Sequence, residues 1–187
     1  MTSVITDRIR ESIEVKERIF SDEDIISKIQ KAGEIVRDAL QSGNKVLLCG
    51  NGGSASDSLH IAGELVGRFQ KERESFPAIA LNADTASLTA IANDYGYEYV
   101  FERGVEGYGN SGDVLIGIST SGNSENVNKA IIKARERGLF TVGLSGKGGG
   151  KMNKLVDVSI VVPSDCTARI QESHIMIGHI ICEMVDE

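Results

Sequence analysis

Five short aliphatic runs set the strongest limit on the fold: KVLLCG at 45–50, PAIAL at 77–81, DVLIGIS at 113–119, LFTVGLS at 139–145 and VSIVVP at 158–163. Each lacks clean polar alternation and is bounded by Gly, Ser, Asn or Pro, the pattern of strands buried on both faces. Helical patterns lie between them, at 53–68, 84–106, 123–137 and, briefly, 149–155. Strand alternating with helix means βαβ units, and right-handed crossovers then give a parallel sheet with helices on both sides. The expected fold is a three-layer, doubly wound, flavodoxin-like α/β domain with five strands. A chain of 187 residues, 41% of them apolar, suits one such domain over 1–187.

Two segments precede the alternation. Residues 3–20 place Ile5, Ile9, Ile13 and Phe20 near one stripe, and 22–42 do the same with Ile25, Ile29, Ala32, Val36 and Ala39, so 1–43 should hold two amphipathic helices. A sheet already covered on both faces has limited room for them. At least one is therefore expected to pack against another copy of the chain. A last helix is expected over 166–186, with Asp165 or Thr167 as N-cap and Ile170, Ile177, Ile181 and Met184 as its apolar positions.

Charge and cysteine content exclude several classes. The net charge is −7, with Lys and Arg scattered, so nothing offers a nucleic acid a basic track. The longest apolar run, Ile175 to Cys182, contains His179 and is too short to span a bilayer. Three cysteines, without C-x-x-C spacing or a secretory leader, imply a reduced protein of the cytoplasm. An anionic ligand would have to be met locally, by backbone N–H groups and helix N-termini.

Two strand ends run into small polar turns that open helices, CGNGGSAS at 49–56 and ISTSGNSEN at 118–126. At the carboxyl edge of a parallel sheet such turns aim N–H groups and hydroxyls at one point, which makes a phosphate site. Ser54, Ser119, Thr120, Ser121 and Ser124 are the candidate hydroxyl donors. GNGGSA, Gly50 to Ala55, also satisfies a dinucleotide-binding template. The acid that should hold the ribose is misplaced, however; the nearest, Asp84, lies three residues beyond the second run. SGKGGGK at 145–151 lacks the spacing of a nucleotide P-loop and reads as a surface turn.

The helix after the first turn carries His60 and Glu64, four residues apart and hence on one face. The last helix adds Gln171, His174 and His179. His60, Glu64 and a later histidine make a possible ligand set for a divalent ion such as zinc. The plainer reading of such a pair is a surface contact. Asn93 and Asp94 are two polar side chains that end an apolar helix, where a turn before Gly96 would also account for them.

With these residues in view, the chain closely resembles the bacterial phosphoheptose isomerases, a branch of the sugar isomerase (SIS) domain proteins. CGNGGSASDSLHIAGEL, AIANDYG, DVLIGISTSGNSENV, LSGKGGGKMN and TARIQESHIMIGH carry the resemblance over nearly the whole chain. It implies conversion of D-sedoheptulose 7-phosphate into D-glycero-D-manno-heptose 7-phosphate, the entry to activated heptoses. It also implies a homotetramer with active sites shared between subunits and one Zn²⁺ per site. By position, Asn51, Gly52, Gly53, Ser54, Ser119, Thr120, Ser121 and Ser124 become the substrate cradle, with Asn93, Asp94, Glu64 and Gln171 as further contacts. His60, Glu64, Gln171 and His179 become the zinc ligands, and Glu64 and His179 the base and acid.

One departure is Ala168, where other members have an acid before Arg-Ile-Gln. Gln171 and His179 are also eight residues apart, about 12 Å of helix rise, and His174 is nearer to Gln171 by helical angle. The main rival is a non-catalytic, replication-initiator-associating SIS protein that does not conserve the ligand histidines. All four expected ligands are present here, which favours the enzyme.

Overall fold

The computed structural model describes residues 2–187. Five strands, β1 (Val46–Gly50), β2 (Ala78–Ala80), β3 (Val114–Ser119), β4 (Phe140–Ser145) and β5 (Val158–Val161), pair in parallel in the order β2-β1-β3-β4-β5. This is the expected doubly wound order. Every residue of β1 and of β3 is buried, which explains why their sequences show no polar alternation.

Successive strand residues point to opposite faces, and the core divides accordingly. Leu48, Ile116, Val142 and Ile160 pack under α2 (Glu23–Gln41), α3 (Gly53–Val66) and α7 (Thr167–Asp186). Leu47, Cys49 and Leu115 pack under α4 (Thr85–Asp94), α5 (Val100–Tyr108) and α6 (Glu125–Glu136). The predicted apolar stripe of α2, Ile25, Ile29, Ala32, Val36 and Ala39, is entirely buried. Helix α1 (Thr2–Ser21) differs: it seats Val15 and Ile19 on the core, while Ile5, Ile9, Ile13 and Phe20 are exposed, Phe20 at 83%. The first helix therefore turns its predicted apolar stripe away from its own sheet.

Three local expectations need correction. The single helix expected over 84–106 is two, because Gly96 adopts φ +107°, outside the helical region, and α4 stops at Asp94. Helix α7 is capped by neither Asp165 nor Thr167; Cys166 is its N-cap residue and makes no side-chain cap bond. The helical piece near 149–155 is two 3₁₀ turns, Lys147–Gly149 and Met152–Lys154. Among the described residues, no helix is long and apolar enough to cross a membrane. All three cysteines are free, and burial pushes the thiols of Cys49 and Cys182 up to about 12.

His174 belongs to this core. It is fully buried, its Nε2 lies 3.1 Å from the Ser145 carbonyl, and its Nδ1 has no hydrogen-bond partner. Burial lowers its pKa to about 4, and the Ser145 contact offsets only part of that. The unfolded chain binds this proton near pH 6.5, whereas the folded chain resists it down to about 4. Stability should therefore be fully present above pH 6.5 and fall as pH drops through 4, by about 3 kcal/mol in all. Urea unfolding of His174→Gln should lose this slope; a slope equal to the parent's would assign it to other groups.

Candidate active site

The chain leaves β1 toward β2 and returns on the other side through β3, so the crevice between these strands is the topological switch point. Gly50 and Ile118 are register partners there, which brings the two polar turns side by side. Helices α2 and α4 are capped by Asp22 and Asp84, yet α3 and α6, which open from these turns, have no side-chain cap. Their positive dipole ends face the crevice, as an anion requires; the first turn of α3 holds no acid, and that of α6 holds the exposed Glu125, with Asn126 Oδ1 accepting from the Val127 N–H at 2.9 Å. Ser119 Oγ and Ser124 Oγ lie 2.8 Å apart, and Ser121 Oγ accepts from the Asn123 N–H at 3.2 Å. Ser54 is buried in the first turn of α3, while Thr120 and Ser121 are half-buried.

The two turns are braced from both sides. Asn51 and Asn126 exchange amide hydrogen bonds at 2.9 and 3.0 Å, and the Tyr97 hydroxyl donates to Asn51 Oδ1 at 2.9 Å. The Asn51 side chain thus joins the turns together. Segment 145–151, expected to be a simple surface turn, supports the second turn. Gly146 N–H donates to the Thr120 carbonyl, Met152 N–H to the Gly122 carbonyl and Lys151 N–H to Asn123 Oδ1. Asp84 accepts from Ala86 N–H, Ser87 N–H and the Ser87 hydroxyl. It is a helix cap, which removes the acid that a dinucleotide site needed.

Helices α3 and α7 run side by side, in parallel, away from this cradle. At the near end the Gln171 amide lies on Gly53, where a Cβ would come within 2.3 Å of its Nε2. Seven residues farther along α3, His60 meets His179, with their Nε2 atoms 2.9 Å apart, and His60 Nε2 is 3.2 Å from Glu64 Oε1. Ligand atoms of His60, Glu64 and His179 all lie within 4.8 Å of one another. Two imidazole nitrogens and one carboxylate oxygen at this spacing fit a four-coordinate zinc, whose donors sit about 2.0–2.2 Å from the metal. The His179 ring also stacks on Phe69, centroids 5.5 Å apart and planes 20° apart.

The SIS domain family model matches residues 9–146. The chain is 51% identical to the phosphoheptose isomerase of Sulfurimonas denitrificans, over all of this chain and 96% of that one. It is 54% identical to that of Clostridium acetobutylicum, over all of this chain and 95% of that one. A solved phosphoheptose isomerase from Neisseria gonorrhoeae superposes with TM-score 0.93 at 40% identity, covering 99% of this chain and 98% of that one. The chain belongs to the phosphoheptose isomerase family of SIS domain proteins. It is an isomerase on a five-stranded, all-parallel α/β fold, and the non-catalytic alternative is set aside.

For a phosphoheptose isomerase the distribution of the expected residues is informative. One chain brings together three of the four expected zinc ligands, His60, Glu64 and His179. It places the fourth, Gln171, at the cradle end, about 12 Å of helix rise from His179. His174 is not an alternative ligand, since it faces the core. Asn93 and Asp94 are exposed at the end of α4, where Asn93 Nδ2 donates to Asp94 Oδ1 at 2.8 Å. Sequence reasoning missed Phe69, Asn126 and Asp57. Asp57, one turn before His60, has a buried Oδ2 with no hydrogen-bond partner; desolvation raises its pKa to about 6, and the nearby His60 opposes the rise. Its place three residues before His60 was the only available signal.

Proposed function

We propose that this isomerase interconverts D-sedoheptulose 7-phosphate and D-glycero-D-manno-heptose 7-phosphate through an enediolate, the entry to activated heptoses for lipopolysaccharide or capsule glycans. One observation carries the reading. The uncapped cradle and the His60–Glu64–His179 group stand at the two ends of a stretch about 12 Å long on one packed helix pair. A phosphate held at the first end leaves the far end of an extended seven-carbon sugar at the second, and a triose phosphate would fall short.

In this reading the N–H groups of Gly52 and Gly53 and of the start of α6, with Ser54, Ser119, Thr120, Ser121 and Ser124, bind the phosphate and orient the sugar. Glu64 moves the proton between C1 and C2. Its Oε1 is turned to His60, so Oε2 takes the proton. His179 passes a proton between O1 and O2. His60, Glu64 and His179 would hold Zn²⁺, which when bound supplies positive charge against the negative charge that develops on the sugar oxygens. Gln171 contacts the substrate at the cradle, and Asn93 and Asp94, exposed at the end of α4, are further substrate contacts.

Incubating the protein with sedoheptulose 7-phosphate should yield the manno-heptose phosphate by NMR. A chelator should suppress the product and added zinc restore it. Undiminished turnover after the metal is stripped would remove the ion from the reaction, and no product under any condition would remove the substrate assignment.

Self-association completes the proposal. Val4, Ile5, Ile9, Ile13 and Phe20 form an exposed apolar face on α1. It continues into a groove of about 470 Å³ lined by Ile19, Ile26, Ile29, Met176 and Met184. A face of this kind marks an interface, and a homotetramer built on α1 is the expected assembly. Native mass measurement should return four chains, with Phe20→Asp shifting the population toward smaller species; a monomer at micromolar concentration would refute it. The three free thiols suit a reducing cytoplasm.

A further inference from the structure

Helix α7 ends on an acid where the helix dipole disfavours one. Asp186 closes α7 and is only 8% exposed. Its Oδ1 accepts from Arg73 Nε at 2.6 Å, and its Oδ2 accepts from the N–H groups of Gln70 and Lys71 at 2.8 and 3.2 Å. Burial alone would raise its pKa, but the bonds from Arg73, Gln70 and Lys71 outweigh burial and hold the carboxyl below the usual carboxylate range.

The same guanidinium closes the end of α3. Arg73 Nη2 donates to the Glu64 carbonyl at 3.1 Å, and Nη1 donates to the Leu65 carbonyl at 3.0 Å and the Glu74 carbonyl at 3.1 Å. Its plane lies over the Phe76 ring, 4.4 Å from the centroid. The last carbonyls of a helix have no partner within it, so Arg73 fixes the turn of α3 that bears Glu64. Asp186 follows His179 by seven residues, two turns along the same face of α7. Gln70, which Asp186 holds, is the chain neighbour of Phe69, which stacks on His179.

We propose that Arg73 and Asp186 are positioning residues: their clamp pins residues 69–71 to the end of α7 and the last turn of α3 to the same guanidinium. It thereby keeps Phe69 on the His179 ring and fixes where Glu64 stands relative to that ring. The consequence for turnover rests on the function proposed above; the consequence for the ring does not.

The test compares Asp186→Asn and Phe69→Leu in the full chain, first stripped of metal, by NMR of the His179 ring protons. Loss of the Phe69 ring current should move these signals downfield in Phe69→Leu, and Asp186→Asn should move them the same way. Zinc affinity, measured by chelator competition, should fall about 10-fold in Asp186→Asn, the scale of lost outer-shell support. After reloading, kcat should fall by a similar factor with KM nearly unchanged. A purely structural pair would lower the melting temperature without moving the ring signals. Arg73→Lys, which keeps the charge but loses the fork that reaches several carbonyls, gives the same readout should Asp186→Asn fail to fold.

Wild-type ring signals in a folded Asp186→Asn or Arg73→Lys protein would overturn the clamp, and so would unmoved signals in Phe69→Leu. A parent protein that neither binds zinc nor isomerises the sugar, yet whose His179 signals respond to Asp186→Asn, would refute the functional reading and support the clamp.

Discussion

Replacing Glu64 by Gln is expected to lower kcat on the heptose phosphate by about 10²- to 10⁴-fold, the range that a positioned proton-transfer group contributes. The substitution keeps the volume of the side chain and an oxygen that can face His60, but it removes the carboxylate that, in the proposed reaction, accepts a proton from carbon. The side chain sits on the partly exposed face of α3, outside the core. The fold should therefore survive, and so should affinity for phosphate at the proposed cradle, about two to three helical turns away. Progress curves by NMR, beside a melting curve and a titration with inorganic phosphate, check all three. Turnover within a few-fold of the parent would remove Glu64 as the base. A loss of phosphate binding equal to the loss of turnover would show that the two ends of the site are not separate.

Gly122→Ala should be the most damaging change in the cradle. Gly122 has φ +64°, and a Cβ there would lie 1.9 Å from the Gly149 carbonyl oxygen, which is backbone and cannot swing aside. Left-handed backbone costs a residue with a side chain about 1–2 kcal/mol, and forced overpacking adds about 1–3 kcal/mol. A loss of about 2–5 kcal/mol by denaturant unfolding follows. Segments 120–123 and 145–151 would be pushed apart, since Gly146, Lys151 and Met152 all bond to the second turn. Phosphate binding should weaken even in the fraction that stays folded. A variant with the parent's stability and phosphate affinity would mean that this close approach does not shape the cradle.

Much of this was legible in the chain because it is local. Continuous aliphatic runs such as VLLCG and VLIGIS encode strands buried on both faces, and the polar turns after β1 and β3 mark the carboxyl edge of the sheet where the candidate site lies. The one long helix expected over 84–106 failed for a local reason as well: the apolar period continues across Gly96, and only the backbone angle there breaks the helix. The α1 and α2 stripes were legible as stripes, and at least one was expected to face away from the sheet; that it is the α1 stripe was not readable. A period of 3.6 tells which residues share a face and is silent on what that face meets.

By itself, then, the sequence determined the alternation of strands and helices, the two turns at neighbouring strand ends, and the pairing of His60 with Glu64 on one face. These follow from short-range periodicity and from which residues tolerate which backbone angles. Tertiary structure decided which distant residues complete the site. His179 and His174 are five residues apart on the same helix, yet one meets His60 and the other is sealed in the core. That choice is made by the rotation and register of α7 against α3 and the sheet. It arises from the packing of many side chains at once, so no short segment encodes it.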